Sequence, residues 1–256
     1  MRVKSLKVFV RVLVFGLLLG VSSTAYADTV VITSFDVSNL QFTAAAGTAV
    51  FTPTATSARA NASNSFGQTV DNVSNTFPFA QTGAAVSFTT AFATANLPPN
   101  SVNGITFAML GGCSCTASSF SISNLTGTLV ITGAQGPVDV TISGLATLLR
   151  VVETDQFGVL AESEVLFDIF VNGVSVFQID SLIPLSGPNL QAFVEGSNQL
   201  SRTISLQSGA EHTINVRLST RATAVVNEVP EPATVVLLVS GLGFMTGVLK
   251  KRREIR

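Results

Sequence analysis

The side chains best suited to chemistry in this sequence are one histidine, one pair of cysteines and a short acidic cluster. A serine or cysteine nucleophile needs a neighbouring base, and His212 is the only histidine of the chain. It stands beside a predicted turn, where we expect it to be solvated rather than to act as a base. No H-E-x-x-H pair, glycine-rich phosphate loop or His/Cys metal cluster occurs in the sequence. We therefore expect a protein that is not an enzyme, and a hydrolase built on a pair of carboxylates is the remote alternative.

Cys113 and Cys115 are the only cysteines, and a single residue separates them. The thiols of an exported protein are normally oxidised, so a disulfide between the two is one expectation. A bridge that closes over one residue is strained, and it is more easily reduced than an ordinary structural disulfide. Free thiols, intermolecular bridges and a soft-metal or redox site are the alternatives. The flanking glycines and serines predict a loop between strands.

An acidic cluster surrounds a predicted turn at 156–158 and consists of Glu153, Asp155, Glu162 and Glu164. If the strands on either side of this turn pair with each other, the four carboxylates converge near one end of a sheet. Oxygen-rich extracellular sites of this kind bind calcium with low affinity. The spacing does not match an EF-hand loop, and a solvated acidic rim is the alternative. No other metal or cofactor is expected.

The elements that must position these residues have the pattern of short β-strands. Apolar and β-branched residues recur with a period of two, and turn residues interrupt them at intervals. No long helical period and no fixed-length repeat occurs. The pattern predicts an all-β domain, an antiparallel β-sandwich of jelly-roll or immunoglobulin-like type. Strands are predicted at 30–37, 85–92, 105–110, 120–132 and 138–153.

Two hairpins are predicted from turn chemistry. Asn172-Gly173, a preferred type I′ pair, should join 165–171 to 174–179 and place Ile169 opposite Val176 and Asp168 opposite Phe177. A second hairpin should join 200–207 to 212–226 through 208–210. The alternation along 212–218 predicts a sheet with one wet face.

The segment from 52 to 75 is rich in Thr, Ala, Ser and Asn and poor in branched apolar residues. We expect a long surface loop or a low-complexity excursion there. The residues between 97 and 100 are also predicted to form a loop, because two prolines lie among them.

The composition hides an uneven distribution of charge. The chain is 46% hydrophobic and 11% charged, with a mean hydropathy of +0.51, values that suggest a membrane protein. Yet four of the 14 basic residues lie in the first eleven positions and five lie in the last seven. Between them, residues 28–229 contain five Arg, no Lys and 13 acidic residues, a formal charge of −8. This acidic balance excludes a basic nucleic-acid binder.

Aromatic composition argues against a typical lectin. The chain has no Trp, and its single Tyr is Tyr26, so Phe is the only aromatic residue of the segment 28–229. Sugar rings are commonly stacked on Trp or Tyr, and their absence lowers the expectation of sugar binding without removing it.

The N-terminus has the form of a secretory signal peptide. Basic residues precede an apolar run from Val12 to Val21, which at about ten residues is too short to span a bilayer. Ala25 and Ala27 then form the A-x-A pattern of a cleavage site. The sequence predicts a signal peptide at 1–27, removed by signal peptidase; an uncleaved anchor is the alternative.

The C-terminus has three parts in a fixed order. Pro230, Glu231 and Pro232 precede an apolar segment at 233–249 that would be about 25 Å long as a helix, at the short limit for crossing a membrane. The two prolines keep their own segment out of a helix, and Glu231 resists entry into lipid. The tail at 250–256 should stay cytoplasmic and leave the preceding domain outside. Its basic stop-transfer cluster consists of Lys250, Lys251, Arg252 and Arg253. A buried C-terminal helix is the alternative.

These three parts resemble the PEP-CTERM sorting signal, over about the last 27 residues. The same segment is also described as an ice-binding protein C-terminal motif, a name that concerns the tail and not an activity. The resemblance implies a Gram-negative-type bacterium with an exosortase, a membrane-embedded, cysteine transpeptidase-like enzyme. That enzyme would recognise Pro230, Glu231 and Pro232 and cleave near them, so these residues are not catalytic in this chain.

The sequence and the resemblance together predict an exported protein of the cell surface or extracellular matrix, associated with exopolysaccharide and biofilm. Its expected domains are a signal peptide, an exported domain at 28–229 and a sorting signal at 230–256. Its expected partners are signal peptidase, exosortase, exopolysaccharide and, before processing, the inner membrane; nucleic acid is not one of them. A carbohydrate- or calcium-binding module is the alternative function.

Overall fold

Twelve β-strands make up the part of the chain that the structure describes. The computed structural model describes residues 29–87, 89–96, 100–110, 116–154, 159–186 and 190–226. The strands are β1 (Thr29–Ala44), β2 (Thr48–Asn64), β3 (Thr69–Ser74), β4 (Phe79–Val86), β5 (Thr89–Asn96), β6 (Ser101–Leu110), β7 (Thr116–Thr132), β8 (Pro137–Thr154), β9 (Val159–Val171), β10 (Val174–Ser186), β11 (Leu190–Gln207) and β12 (Glu211–Val226).

Several predicted features lie outside these residues. They are the cleavage site at Ala25 and Ala27, the pair Cys113 and Cys115, Asp155 with the turn at 156–158, most of the loop at 97–100, and the whole segment 230–256. Within the described residues, no helix is long and apolar enough to cross a membrane.

The strands form two six-stranded sheets in which every pairing is antiparallel. Sheet A has the order β11-β8-β1-β6-β5-β4, and sheet B has the order β10-β9-β12-β7-β2-β3. β1 packs over β9 and β12, β6 over β7 and β12, and β4 and β5 over β2. The prediction of an all-β domain of antiparallel strands is confirmed.

Of the four apolar clusters among the described residues, the two largest are separated by a layer of hydroxyl groups. Along β1, Phe35 belongs to the larger cluster and Val31 to the smaller one, while Thr33 between them is fully buried. The Thr33 hydroxyl donates to Arg221 O at 3.1 Å and lies 2.6 Å from the hydroxyl of Ser163 on β9, from which it can accept, so its hydrogen bonds are satisfied within the protein. Phe35 and Phe167 face each other in the larger cluster with ring centroids 6.0 Å apart.

β-Bulges change which residues of a strand face the interior. In β2, Phe51 faces inwards, and after the extra residue Thr54 the inward positions become Thr56 and Ala58. A period of two cannot otherwise shift from odd to even positions. β1 changes in the same way between Ser38 and Gln41.

The loop predicted at 52–75 is wrong. β2 and β3 occupy most of that segment, and Ala58, Ala60 and Ala62 are buried between the sheets. Small side chains suit an interior where β4 and β5 contribute alanines from the opposite sheet. The scarcity of branched apolar residues therefore reflected this packing and not exposure. The single strand predicted at 85–92 is also wrong, because the end of β4 and the start of β5 share that range and pair with each other.

The Asn172-Gly173 hairpin between β9 and β10 is confirmed, although its register is not. Both turn residues have positive φ, as a type I′ turn requires. Val174 pairs with Val171 as predicted, but a bulge then places Phe177 opposite Ile169. The expected partners beyond the bulge are shifted by one residue.

The prediction that 200–207 and 212–226 pair as a hairpin is wrong, although the predicted turn at 208–210 is present. β11 pairs with β8 in sheet A, whereas β12 pairs with β7 and β9 in sheet B. The turn between them therefore crosses from one sheet to the other. Ser208 Oγ donates to Ala134 O at 2.9 Å and Gly209 N to Ile131 O at 2.9 Å, which holds this turn against the β7–β8 turn.

Candidate ligand-binding groove

A surface groove of about 290 Å³ lies where β2 forms its bulge. Pro53 pairs with Gly127 and Ala55 with Thr126, so Thr54 is the extra residue. β3 pairs with β2 only from Ala58 onwards, which leaves this part of β2 at the edge of sheet B. A proline lacks the N–H that a central strand needs, and bulges and edges are where strands accept it.

The groove is lined by hydroxyl and amide groups around one aromatic ring. Its lining residues are Thr54, Ala55, Thr56, Ser57, Asn75, Phe77 and Thr126. The Phe77 side chain is 53% exposed.

Hydrogen bonds hold the walls of this groove in place. Thr56 Oγ1 donates to Thr76 O at 2.8 Å and thereby ties β2 to the segment that carries Phe77. Asn124 Nδ2 donates to Ser57 Oγ at 3.0 Å on the opposite wall. Thr54 Oγ1 donates to Thr126 O at 3.3 Å.

The lining favours binding over catalysis. Its polar groups are hydroxyls and amides, and none of the lining residues is a carboxylate, histidine, lysine or cysteine that would serve as an acid, base or nucleophile. An apolar ring beside several donors and acceptors can hold a small polyhydroxylated ligand. The volume of the groove lies just below the range of about 300–1,000 Å³ that is usual for small-molecule sites.

The acidic cluster is not brought together as predicted. β8 and β9 lie in different sheets, so the premise that they pair is wrong. Glu153 is exposed beside Val30 in sheet A, whereas Glu162 and Glu164 lie opposite Thr223 and Arg221 in sheet B. Among the residues that the structure describes, no three His, Cys, Asp or Glu side chains are grouped to hold a metal ion.

His212 is buried, contrary to the expectation of a solvated turn residue; it is 6% exposed. Its Nε2 lies 2.9 Å from Gln207 O, and its Nδ1 lies 3.1 Å from Asn172 Nδ2. Nε2–H therefore donates to the carbonyl, and Nδ1 accepts from the amide. Through these two hydrogen bonds, His212 connects the β11–β12 turn to the β9–β10 turn. Its role in the described structure is therefore structural.

Two charged groups of sheet A are affected by burial. Burial raises the pKa of Asp36 to about 6, against the smaller opposing effect of hydrogen bonds from Asn103 and Ser38. Burial also lowers the pKa of Arg150, whose side chain is fully enclosed and whose Nη1 donates to Ser181 Oγ at 2.9 Å. Neither group lines the groove.

An exposed ion pair lies on β2 and β3. Arg59 donates from Nε and Nη2 to both carboxylate oxygens of Asp71, at 3.0 and 2.7 Å. This bidentate contact lowers the pKa of Asp71. It stabilises the pairing of the short strand β3 with β2 only modestly, because both side chains are in water.

Sequence reasoning missed the groove because its residues belong to the segment taken for a loop. Pro53 within an alternating Thr/Ala run was the available signal, since proline in a strand marks an edge or a bulge. Nothing in the local pattern indicates that Asn75 and Phe77 lie beside Thr126, which is almost fifty residues further along the chain.

Neither the comparison with protein-family models nor the search of curated proteins found a match for this chain.

Proposed function

We propose that this chain is an exported, non-enzymatic protein that exosortase sorts at its C-terminus and that stays at the cell surface or in the extracellular matrix. The observation that carries the proposal is the order of the sequence signals, an A-x-A site at Ala25 and Ala27 near the start and Pro230-Glu231-Pro232 with an apolar segment and a basic tail at the end. The twelve described strands all lie between these two signals. Removal of both signals would leave every described strand pairing intact.

The test of sorting uses two variants of the full chain in an exporting host that has an exosortase. Deletion of 230–256 should release the protein from the membrane fraction into the medium. Pro230→Ala with Pro232→Ala keeps the apolar segment and the basic tail, and should leave an unprocessed chain in the inner membrane. Blotting of cell fractions and intact mass measure both results. Unchanged membrane association and processing in both variants would refute the proposal.

A second candidate function is binding of the extracellular polysaccharide by the groove at the β2 bulge. Its support is the exposed ring of Phe77 among hydroxyl and amide groups, an arrangement able to stack on a sugar ring and bond to its hydroxyls. The groove contains no carboxylate, so this binding should not need calcium.

The binding test compares two exposed phenylalanines. Phe77→Ala should weaken binding to the host's purified exopolysaccharide at least fivefold, whereas Phe66→Ala should not, because Phe66 is 60% exposed but does not line the groove. A chelator added to the wild-type protein measures calcium dependence. Equal effects of the two substitutions, or no binding by the wild type, would exclude this function for the groove.

A further inference from the structure

A second groove, of about 240 Å³, lies on sheet A beside the bulge of β1. This β1 groove is lined by Asn39, Gln41, Ser143, Gly144, Leu145 and Gln199. β8 contributes the three residues at its centre, because β8 lies between β1 and β11 in the sheet. Asn39 and Gln41 border the groove from β1, and Gln199, which pairs with Leu145, borders it from β11.

The β1 groove opens on the outer face of the sheet. Ile142 and Leu200 belong to the apolar core, so Ser143 and Gln199, their neighbours along β8 and β11, face away from it. The amide side chains of the groove are exposed. The groove at the β2 bulge is formed around β2 and β7 of sheet B, and the two grooves have no lining residue in common.

The backbone of the β1 bulge is held by the residue that precedes β6. Leu40 N donates to Asn100 O at 3.2 Å, and Asn100 Nδ2 donates to Leu40 O at 3.1 Å. Asn39, just before Leu40, has a φ of 54°. The two hydrogen bonds fix the segment that carries Asn39 and Gln41. A ligand therefore meets a preformed border, which lowers the entropy cost of binding.

The polar side chains of the β1 groove are available to a ligand. Within the described ranges of the chain, Asn39, Gln41, Ser143 and Gln199 make no side-chain hydrogen bond to the protein. Three amides and one hydroxyl offer both donors and acceptors. Leu145 adds an apolar contact beside them.

The lining of the β1 groove selects a neutral ligand that carries hydroxyl groups. None of its residues is charged. A hard cation would need carboxylate ligands, and an anion would need Arg or Lys. An apolar ligand would leave the amides unpaired. Sugar hydroxyls both donate and accept, as amides do, and the C–H groups of a sugar ring match the side chain of Leu145.

A sugar suits the β1 groove better than an extended peptide does. Peptides commonly bind a sheet by adding a strand to its free edge. β8 is paired with β1 on one side and with β11 on the other, and both backbone groups of Leu40 are bonded to Asn100. The groove volume of about 240 Å³ is below the usual range of about 300–1,000 Å³ for small-molecule sites. It suits one unit of a longer sugar chain.

We propose that the β1 groove binds one sugar unit of a neutral polysaccharide. The choice of extracellular polysaccharide as the source of this sugar rests on the proposed export of the chain. The binding itself depends neither on sorting nor on the groove at the β2 bulge.

The test measures binding of the signal-peptide-cleaved chain to an array of neutral and uronate-containing bacterial oligosaccharides, with fragments of the host's exopolysaccharide included. Every chain carries Phe77→Ala, which removes the ring of the groove at the β2 bulge. We expect binding to neutral members that is insensitive to salt and chelator. Gln199→Ala should weaken it at least fivefold, because two amide hydrogen bonds are lost.

Asn198→Ala is the matched control. Asn198 is exposed on the same strand as Gln199 but does not line the β1 groove, so its replacement should leave binding unchanged. Circular dichroism melts of both variants verify that the fold is kept. Gln41→Ala, on the other border of the groove, should weaken binding to a similar extent as Gln199→Ala.

Four results would overturn the proposal. They are no binding to any neutral oligosaccharide, a preference for the acidic members, equal effects of Gln199→Ala and Asn198→Ala, and binding of a peptide library that Gln199→Ala abolishes. These results are separate from those of the earlier tests. Phe77→Ala compared with the wild type tests the groove at the β2 bulge, and fractionation of cells that express the chain without 230–256 tests sorting.

Discussion

Gly104 shows how closely the two sheets approach in the hydroxyl layer. The glycine lies on β6, directly over the hydroxyls of Ser121 and Thr220, which are 2.7 Å apart. A Cβ at position 104 would be 2.6 Å from Ser121 Oγ and 2.9 Å from Thr220 Oγ1. Neither hydroxyl can move away without losing the other's hydrogen bond, so the position requires a residue without a side chain.

Gly104→Ala is therefore expected to lower the free energy of unfolding by about 2 kcal/mol, the cost of overpacking a tight interior. Gly196→Ala is the matched control, because nothing lies within 4 Å of a Cβ at that strand position. Its effect should stay within about 0.5 kcal/mol. Urea denaturation of the signal-peptide-cleaved chain, followed by circular dichroism, measures both. Equal losses would contradict the close approach.

Asp36 should make stability depend on pH in the direction opposite to a salt-bridged carboxylate. Its pKa is raised from 3.8 to about 6, so the folded chain keeps a proton that the unfolded chain releases. The contribution of this bound proton to the stability of the folded chain is complete below about pH 4 and is lost as pH rises through 6. The difference between the two pKa values corresponds to at most about 3 kcal/mol.

Asp36→Asn removes this titration. The free energy of unfolding of the variant minus that of the wild type should therefore increase from pH 4 to pH 7, by up to about 3 kcal/mol. Urea denaturation at both pH values measures the change, and Asp139→Asn, at an exposed position of β8, is the control. A wild-type-minus-variant difference that does not change with pH would show that Asp36 is not buried as a neutral acid.

At the scale of elements, the turns are joined to one another by side chains. Asn172 adopts a φ of 52° in the β9–β10 turn and also contacts β12. Its Oδ1 accepts from Thr213 N at 2.9 Å, and its Nδ2 donates to His212 Nδ1 at 3.1 Å. The residue that permits the turn thus also connects it to the β11–β12 turn.

Asn172→Gly separates these two roles, because glycine keeps the positive φ and removes both side-chain bonds. We expect a loss of about 1–2 kcal/mol, because the substitution removes one partly buried and one exposed hydrogen bond. Asn39→Gly is the control for the same replacement at a positive φ, 54°, in the β1 bulge. Thermal unfolding of the two variants should show the larger decrease for Asn172→Gly; a larger decrease for Asn39→Gly would contradict the connection.

At the scale of the whole molecule, the sandwich is closed by its last strand. β12 lies inside sheet B, where it pairs with both β7 and β9 up to Val225. The pairings that build both sheets join residues between 29 and 226. The folded unit therefore needs the end of β12, and residues after it are not part of any described pairing.

A signal-peptide-cleaved chain that ends at Val229 should thus melt within about 2 °C of the chain that ends at Arg256, since no described pairing is removed. A chain that ends at Ser219 should not fold, because sheet B then loses half of a central strand. Circular dichroism melts and resistance to protease compare the three chains. A folded chain ending at Ser219 would contradict this account of the closing strand.

The sequence by itself determined the features that depend on neighbouring residues. The period of two indicated strands, Asn172-Gly173 indicated a turn, and the alternation along β12 indicated one buried and one wet face. These signals are local, because turn geometry and side-chain direction depend on a few consecutive residues. The sorting and export signals are predictions of the same local kind.

Only the tertiary structure decided which sheet each strand joins, where the bulges lie and which side chains meet. β1 pairs with β8, more than one hundred residues further along the chain, and Thr33 meets Ser163 across the sandwich. Such partners are chosen by the burial of side chains from all strands at once, which no local pattern contains. For that reason Glu153 lies on one sheet and Glu162 and Glu164 on the other, while the groove arises from strands that the sequence does not place together.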